Sequence, residues 1–254
     1  MQPVYMYHGV GSDAELDGAD PVYAVSLARF ESHLRAIGRS IALARQLVQD
    51  RQITAPAITF DDGHITHFTN AFPALVEAGM TAEFYVNTAD VGRPGFVDWA
   101  QLGEMARAGM SIQSHGHRHV FFADLAPNDL RAELERSKKE IEDRLGRNVT
   151  VLSPPGGRYD RRTIDTAKNL GYRTLAVSRP GLWKRLDQPT VPRFPVYAHT
   201  SASTVAAYRS AWSADTLRAV LRYRTVRLGQ KLLGNGGYDA LRNRMVGTAS
   251  GRAA

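Results

Sequence analysis

Ala57-Ile58-Thr59-Phe60-Asp61-Asp62-Gly63 is a short apolar run that ends in two adjacent carboxylates and a glycine. Its length and composition are those of a buried strand, and two acids before a glycine mark the turn that follows. A second run, residues 110–114, ends in the same way in Ser114-His115-Gly116-His117-Arg118-His119. His115 and His119, four apart, fall on one side of a turn or short helix, with His117 facing elsewhere. One carboxylate and two imidazoles make an N,N,O set with open positions, suited to a hydrolytic metal. The neighbouring carboxylate is then free to take a proton from a water that the metal polarises. Asp-Asp-Gly alone would read equally well as a solvated turn; joined to the histidines it reads as a site.

Outward from these two strings, the chain alternates short apolar runs with helical patterns. Strands are expected over 3–8, 56–60, 82–87, 110–114, 149–152, 172–177 and 191–197. Helices between them are expected to end at Gly38, Gly79, Gly109, Gly146 and Gly171. Ser26, Asp98 and Asp160 are good N-caps, and Pro127-Asn128-Asp129 heads a charged helix. Repeated strand–helix units predict a parallel sheet with helices outside, either a barrel or an open doubly wound sheet.

Composition sets the remaining bounds. The chain has 254 residues, 43% of them hydrophobic, and no cysteine, which excludes disulfides and thiolate metal sites. Met1-Gln2-Pro3-Val4-Tyr5 enters a strand directly, with no basic segment followed by a long apolar one. A soluble, cytoplasmic protein is therefore expected. Residues 1–205 hold 23 Lys/Arg and 23 Asp/Glu, whereas residues 206–254 hold nine against two, which is the whole net charge of +7. The expected division is a catalytic body, 1–205, and a basic helical C-terminal extension, 206–254. In that extension Asp215 is a plausible cap, and Leu217, Leu221, Leu228 and Leu232 form a stripe interrupted at its edge by Arg224 and Lys231. With Arg218, Arg222 and Arg227 nearby, peripheral contact with an anionic membrane at its inner face is expected. Aromatic interleaving is too thin to suggest nucleic acid.

The two motifs together resemble those of the NodB-homology polysaccharide deacetylases, carbohydrate esterase family 4, which read TFDDG and S/T-H-x-x-x-H. The resemblance spans residues 3–205 and extends to Met6-Tyr7-His8 and Pro154-Pro155-Gly156-Gly157-Arg158-Tyr159. It implies a distorted (β/α) barrel with about seven parallel strands. In such barrels chemistry gathers at the C-terminal ends of strands, where His8, Asp61, Asp62, His115 and Pro154-Pro155-Gly156 all fall.

Roles follow from the resemblance. Asp62, His115 and His119 would hold one divalent ion, zinc first, with cobalt or nickel as alternatives, and Asp61 would be the general base. The family's third motif carries an arginine that holds the base, but Ser153 stands at that position here; Arg193, in a late strand, is the candidate replacement. The Gly156 N–H would bind the oxyanion. The usual acid histidine has no clear counterpart. His8 is preferred to His199 because it closes a strand. Trp183, in a Gly-Leu-Trp loop, could form a stacking wall for a sugar ring. The expected activity is metal-dependent removal of an N-acyl group, acetyl foremost, from an amino sugar in a glycan or lipid-linked saccharide. The alternative is a catalytically silent barrel that binds metal and glycan as a membrane-recruited assembly component.

Overall fold

A computed structural model describes residues 1–16, 20–50, 52–226 and 228. The first half of the chain forms β1 (Gln2–Tyr7), α1 (Leu27–Ile37), α2 (Leu43–Arg45, continued by a π turn over Gln46–Asp50), β2 (Ala57–Phe60), α3 (Phe72–Glu77), β3 (Glu83–Val86), α4 (Trp99–Arg107) and β4 (Ser111–Ser114). There follow α5 (Pro127–Leu145), β5 (Val151–Leu152), α6 (Arg161–Asn169), β6 (Thr174–Val177), β7 (Leu182–Trp183), β8 (Thr190–Pro192), β9 (Phe194–Pro195), α7 (Ala202–Ala207) and α8, residues 214–226.

Strands β1 to β6 pair in parallel in chain order, and β8 pairs in parallel with β6. β9 pairs in parallel with β1, Tyr5 opposite Phe194 and Met6 opposite Pro195. β8 and β9 are thus two halves of one run, bent at Arg193, which leaves β6 and crosses to β1. This run nearly closes a barrel, which is the expected α/β architecture. The expected strand 191–197 is therefore split in two. β7, absent from the expected set, fills the seam below the split by pairing antiparallel with Gln2 and Pro3.

Side chains alternate along each stave, and both faces are buried, which is why the runs read as nearly continuous apolar segments. Ile58, Phe60, Phe84 and Val86 face the helices, where Phe60 and Phe84 stack at 4.7 Å. Val4, Ala57, Tyr85, Val151, Ala176, Trp183 and Val191 belong to a second cluster, with Leu43, Ala44 and Leu47 of the α2 segment. This is the barrel interior, plugged at its N-terminal end. Each of the five glycines expected to end a helix has positive φ, between 61° and 92°. Asp98 and Asp160 both form capping boxes, with Gln101 and Thr163.

The 205/206 division falls inside α7, whose Val205 is buried and whose successor Tyr208 stacks on Phe194 at 4.2 Å. α8 is capped by Ser213, whose Oγ accepts from Thr216 N at 3.1 Å, and not by Asp215, which is the second residue of its first turn. Its inward side carries buried Thr216 and Ala219, so Leu217, Leu221 and Leu228 point outward. Arg227, Lys231 and Leu232 lie outside the described residues.

Candidate active site

The turn after β2 is built around Asp62, whose φ of 80° is a left-handed conformation adopted by no other described non-glycine residue. That backbone is uncommon outside glycine, and here it separates two adjacent carboxylates into different surroundings. Asp62 Oδ1 lies 3.2 Å from His115 Nε2 and 3.3 Å from His119 Nε2. The three side chains bring one ligand atom each within 4.8 Å of the others.

The histidine loop is fixed from behind. His115 Nδ1–H donates to the Ser153 carbonyl at 2.7 Å, which aims Nε2 at Asp62. A ring N–H held by a backbone carbonyl is the usual support of a metal-ligating histidine. Ser114 Oγ accepts from Gly116 N at 3.1 Å, and buried Glu133 accepts from Arg118 through both its backbone N–H and its Nε. His117 turns away, its Nδ1 2.8 Å from Thr88 Oγ1.

Asp61 faces the barrel axis, where Arg193 grips it with both arms: Nη1 to Oδ1 at 2.6 Å and Nη2 to Oδ2 at 2.8 Å. Ser153 Oγ donates to Asp61 Oδ2 at 3.2 Å and accepts from Arg193 Nη2 at 2.8 Å. Thr59 Oγ1 accepts from Arg193 Nη1 at 3.1 Å. Tyr85 lies under the guanidinium, 5.2 Å from its centre, and donates to Glu83 Oε1 at 2.5 Å. The other oxygen of Glu83 accepts from Ala44 N at 2.6 Å. A polar column therefore runs along the barrel axis from Asp61 to the α2 plug.

Burial pushes the Asp61 carboxyl up, but the charge and hydrogen bonds of Arg193 and the nearby imidazoles of His115 and His8 together outweigh it and leave the group below its usual range. Burial also works against ionised Asp62, and hydrogen bonds from His115 and His119 overcome it, holding Asp62 well below its ordinary value. The bond to Asp62 raises His119. For Glu83 the hydrogen bonds from Tyr85 and Ala44 and the Arg193 charge offset only part of the burial, which lifts it to about 7.

His8 follows β1 directly, and its charge is among those acting on both aspartates. Its backbone carbonyl accepts from His67 Nε2 at 2.8 Å, and burial drives His67 down to about 4. His67 thus serves as a neutral strut behind the site. The His8 ring stacks on Tyr23 at 4.5 Å, Tyr23 on Tyr197 at 5.3 Å, and Tyr197 on His199 at 5.9 Å. His199 is exposed at the outer end of this stack, two rings from His8.

Gly156 opens a short turn in which Gly157 N and Arg158 N are already bonded to Pro154 O and Pro155 O. A Cβ on Gly156 would sit 2.8 Å from Phe121 Cε1, so only glycine fits between that ring and the turn.

One assignment fails. Trp183 is 0% exposed, paired through β7 with the N-terminal end of β1, and its Nε1 donates to Arg185 O. It packs in the closed end of the barrel, away from the mouth, and offers no face to a sugar. Arg193 is also fully buried and cannot touch substrate; its contacts are with Asp61. Residues that the sequence reading passed over include Thr59 and Ser153 as partners of Arg193. Thr59 could have been found by period two, since it shares the inward face of β2 with Asp61. Tyr23 lies in a loop with no periodic signal.

Residues 49–175 match the family model for polysaccharide deacetylases. Over 217 residues the chain is 30% identical to the "putative polysaccharide deacetylase" YxkH of Bacillus subtilis strain 168, covering 81% of this chain and 75% of that protein. Among solved structures, the Streptococcus pyogenes deacetylase PplD in complex with acetate superposes with a TM-score of 0.74 at 22% identity, over 82% of this chain and 98% of that one. IcaB from Ammonifex degensii gives 0.69 at 23% identity, over 82% and 96%. At these identities the structural matches speak to the fold. The curated relative and the family model go further, and together with the paired motifs they establish that the chain belongs to the polysaccharide deacetylase family.

Proposed function

We propose that this chain is a metal-dependent hydrolase that removes an N-acyl group, acetyl foremost, from an amino sugar of a glycan or lipid-linked saccharide. The observation that carries the reading is the division of labour between adjacent carboxylates: Asp62 sits with two imidazoles and Asp61 with a guanidinium. The residues fit a divalent ion. Ligands about 2.0–2.2 Å from a common centre at near-tetrahedral angles stand roughly 3.3–3.6 Å apart, close to the 3.2 and 3.3 Å from Asp62 to the two histidines. Asp62, His115 and His119 would hold the ion, zinc first. Bound there, it would polarise the acyl carbonyl and acidify the attacking water.

The chain's own residues supply the rest. Asp61 accepts the proton of the attacking water; its pairing with Arg193 costs it basicity and gives it a fixed, ionised state. The Gly156 N–H, free of the turn's own bonds, donates to the oxyanion as the carbonyl carbon becomes tetrahedral. His8 gives a proton to the leaving nitrogen, and its place among the charges acting on both aspartates favours it over exposed His199. A silent, merely binding barrel was suggested by serine at the arginine position of the third motif. Arg193, at the bend between β8 and β9, reaches Asp61 in place of that arginine, which supports the catalytic reading.

The test is acetate or formate release from N-acylhexosamine oligomers by protein loaded with zinc, cobalt or nickel. Asp61→Asn is expected to abolish turnover while bound metal stays near the unsubstituted level. Loss of metal with Asp61→Asn would reverse the two aspartates, and no release with any of the three metals would overturn the reading.

A further inference from the structure

The outer face of α8 carries apolar side chains that nothing among the described residues covers. Trp212, just before the helix, is 85% exposed, and Leu217, Leu221 and Leu228 are 51%, 66% and 57% exposed. The leucines stand at i, i+4 and i+11, which places them on one stripe. The opposite stripe is already used: Thr216 is buried and Ala219 packs on the barrel core. This helix is therefore apolar on two faces, and packing within the fold explains only one of them.

The flanks of the outer stripe are cationic. Arg224, seven residues after Leu217, lies at one edge, and Arg218 and Arg222 lie toward the other. Among the described residues of the helix the one acidic side chain, Asp215, pairs with Arg218 at 3.5 Å across a largely exposed and hence weak contact. Residues 206–254 carry nine Lys/Arg against two Asp/Glu. Leucine and tryptophan on one face with arginines beside them is the pattern of a helix that lies in the interface of a bilayer. No described helix is long and apolar enough to cross one.

We propose that α8, with Trp212, lays its outer face on an anionic lipid bilayer and seats the molecule there. The helix is beside the mouth of the barrel, since the Arg222 guanidinium covers the Tyr197 ring at 4.5 Å and Tyr197 belongs to the stack that begins at His8. Docked through α8, the molecule holds its site near the bilayer surface, where a glycan anchored to lipid would be presented. That last consequence rests on the deacetylase reading; the docking does not.

The experiment uses the full chain and vesicles of phosphatidylcholine with and without phosphatidylglycerol, read by co-sedimentation. Binding is expected to anionic vesicles at low salt and to weaken as salt shortens the screening length. Trp212→Ser with Leu221→Ser is expected to lower binding at least about tenfold, and Arg218→Ser or Arg224→Ser about fivefold each. Quenching of tryptophan emission by brominated acyl chains is expected in the unsubstituted chain and lost in Trp212→Phe. All of these residues are exposed, and hydrolysis of a soluble substrate is expected to be unchanged. No binding to anionic vesicles at low salt overturns the proposal, as does full binding by the Trp212→Ser/Leu221→Ser variant. A concentration-dependent dimer abolished by Leu221→Ser would assign this face to a second copy instead.

Discussion

Asp61 and Asp62 are neighbours in the chain that no shared environment could make behave differently; the left-handed backbone at Asp62 gives them separate ones. The buried pair of Asp61 and Arg193 is expected to be costly to break. Arg193→Met leaves an unpartnered buried carboxylate, and urea unfolding should show a loss of about 3–5 kcal/mol. Adding Asp61→Asn should recover part of that loss, and a double-mutant cycle with no coupling would show that the two side chains do not depend on each other. At the other side of the site, His8→Ala is expected to depress turnover about 10²–10⁴-fold with bound metal retained. A near-neutral His8→Ala together with a severe His199→Ala would transfer the acid role to the outer histidine. These residues were unequally legible. The carboxylates and the two candidate ligand histidines stand in contiguous strings, so spacing alone groups them. Arg193 joins Asp61 across 132 positions, and only the register of a closing strand brings them together.

At the scale of elements, β3 carries a conflict that β2 does not. Its inward face holds Glu83, a buried carboxyl in register with the hydroxyl residues Thr59 of β2 and Ser111 of β4, and burial raises it to about 7. A carboxyl whose folded value lies above its unfolded value favours the folded state most when protonated. Its contribution is whole below the unfolded value of about 4.5 and is lost as pH rises through about 7. Glu83→Gln should therefore gain stability over the parent above neutrality, on the order of 2 kcal/mol, with the difference vanishing at mildly acidic pH. Denaturation midpoints at pH 4 and pH 8 check this, and a pH-independent difference would mean that Glu83 stays ionised. Element boundaries were read well where glycine and aspartate mark them, as at Gly146 and Asp98. β7 escaped because two residues paired with Gln2 and Pro3 leave no period to detect. The split of β8 from β9 escaped because a bend at one arginine is a tertiary fact: Arg193 N bonds to Val177 O and Arg179 O on one side, while Val196 N bonds to Met6 O on the other.

For the whole molecule, metal binding would be coupled to folding, because the three candidate ligands come from the turn after β2 and from the loop after β4 and meet only in the folded barrel. An ion that binds only the native state, at a hundred times its dissociation constant, stabilises by about 2.7 kcal/mol. Chelation should accordingly lower the melting temperature of the loaded protein, and Asp62→Asn should remove that response. An equal response in Asp62→Asn would place the metal elsewhere. Alternating strands and helices made the barrel class legible, and the basic excess after residue 205 was plain in the sequence. Which side of α8 faces outward was not plain, since both of its stripes are apolar and only packing against the barrel selects one.

The run that closes the ring has a consequence for how the protein is made. Synthesis delivers Asp62, His115 and His119 first, and a nascent chain through the family-matched segment already contains all three. Arg193 emerges later, on the stave that must find β1 at the opposite end of the chain. A ribosome-bound chain can thus carry the three candidate ligands long before Asp61 has its guanidinium partner. The candidate site is completed in a single late event, when the last stave joins the first.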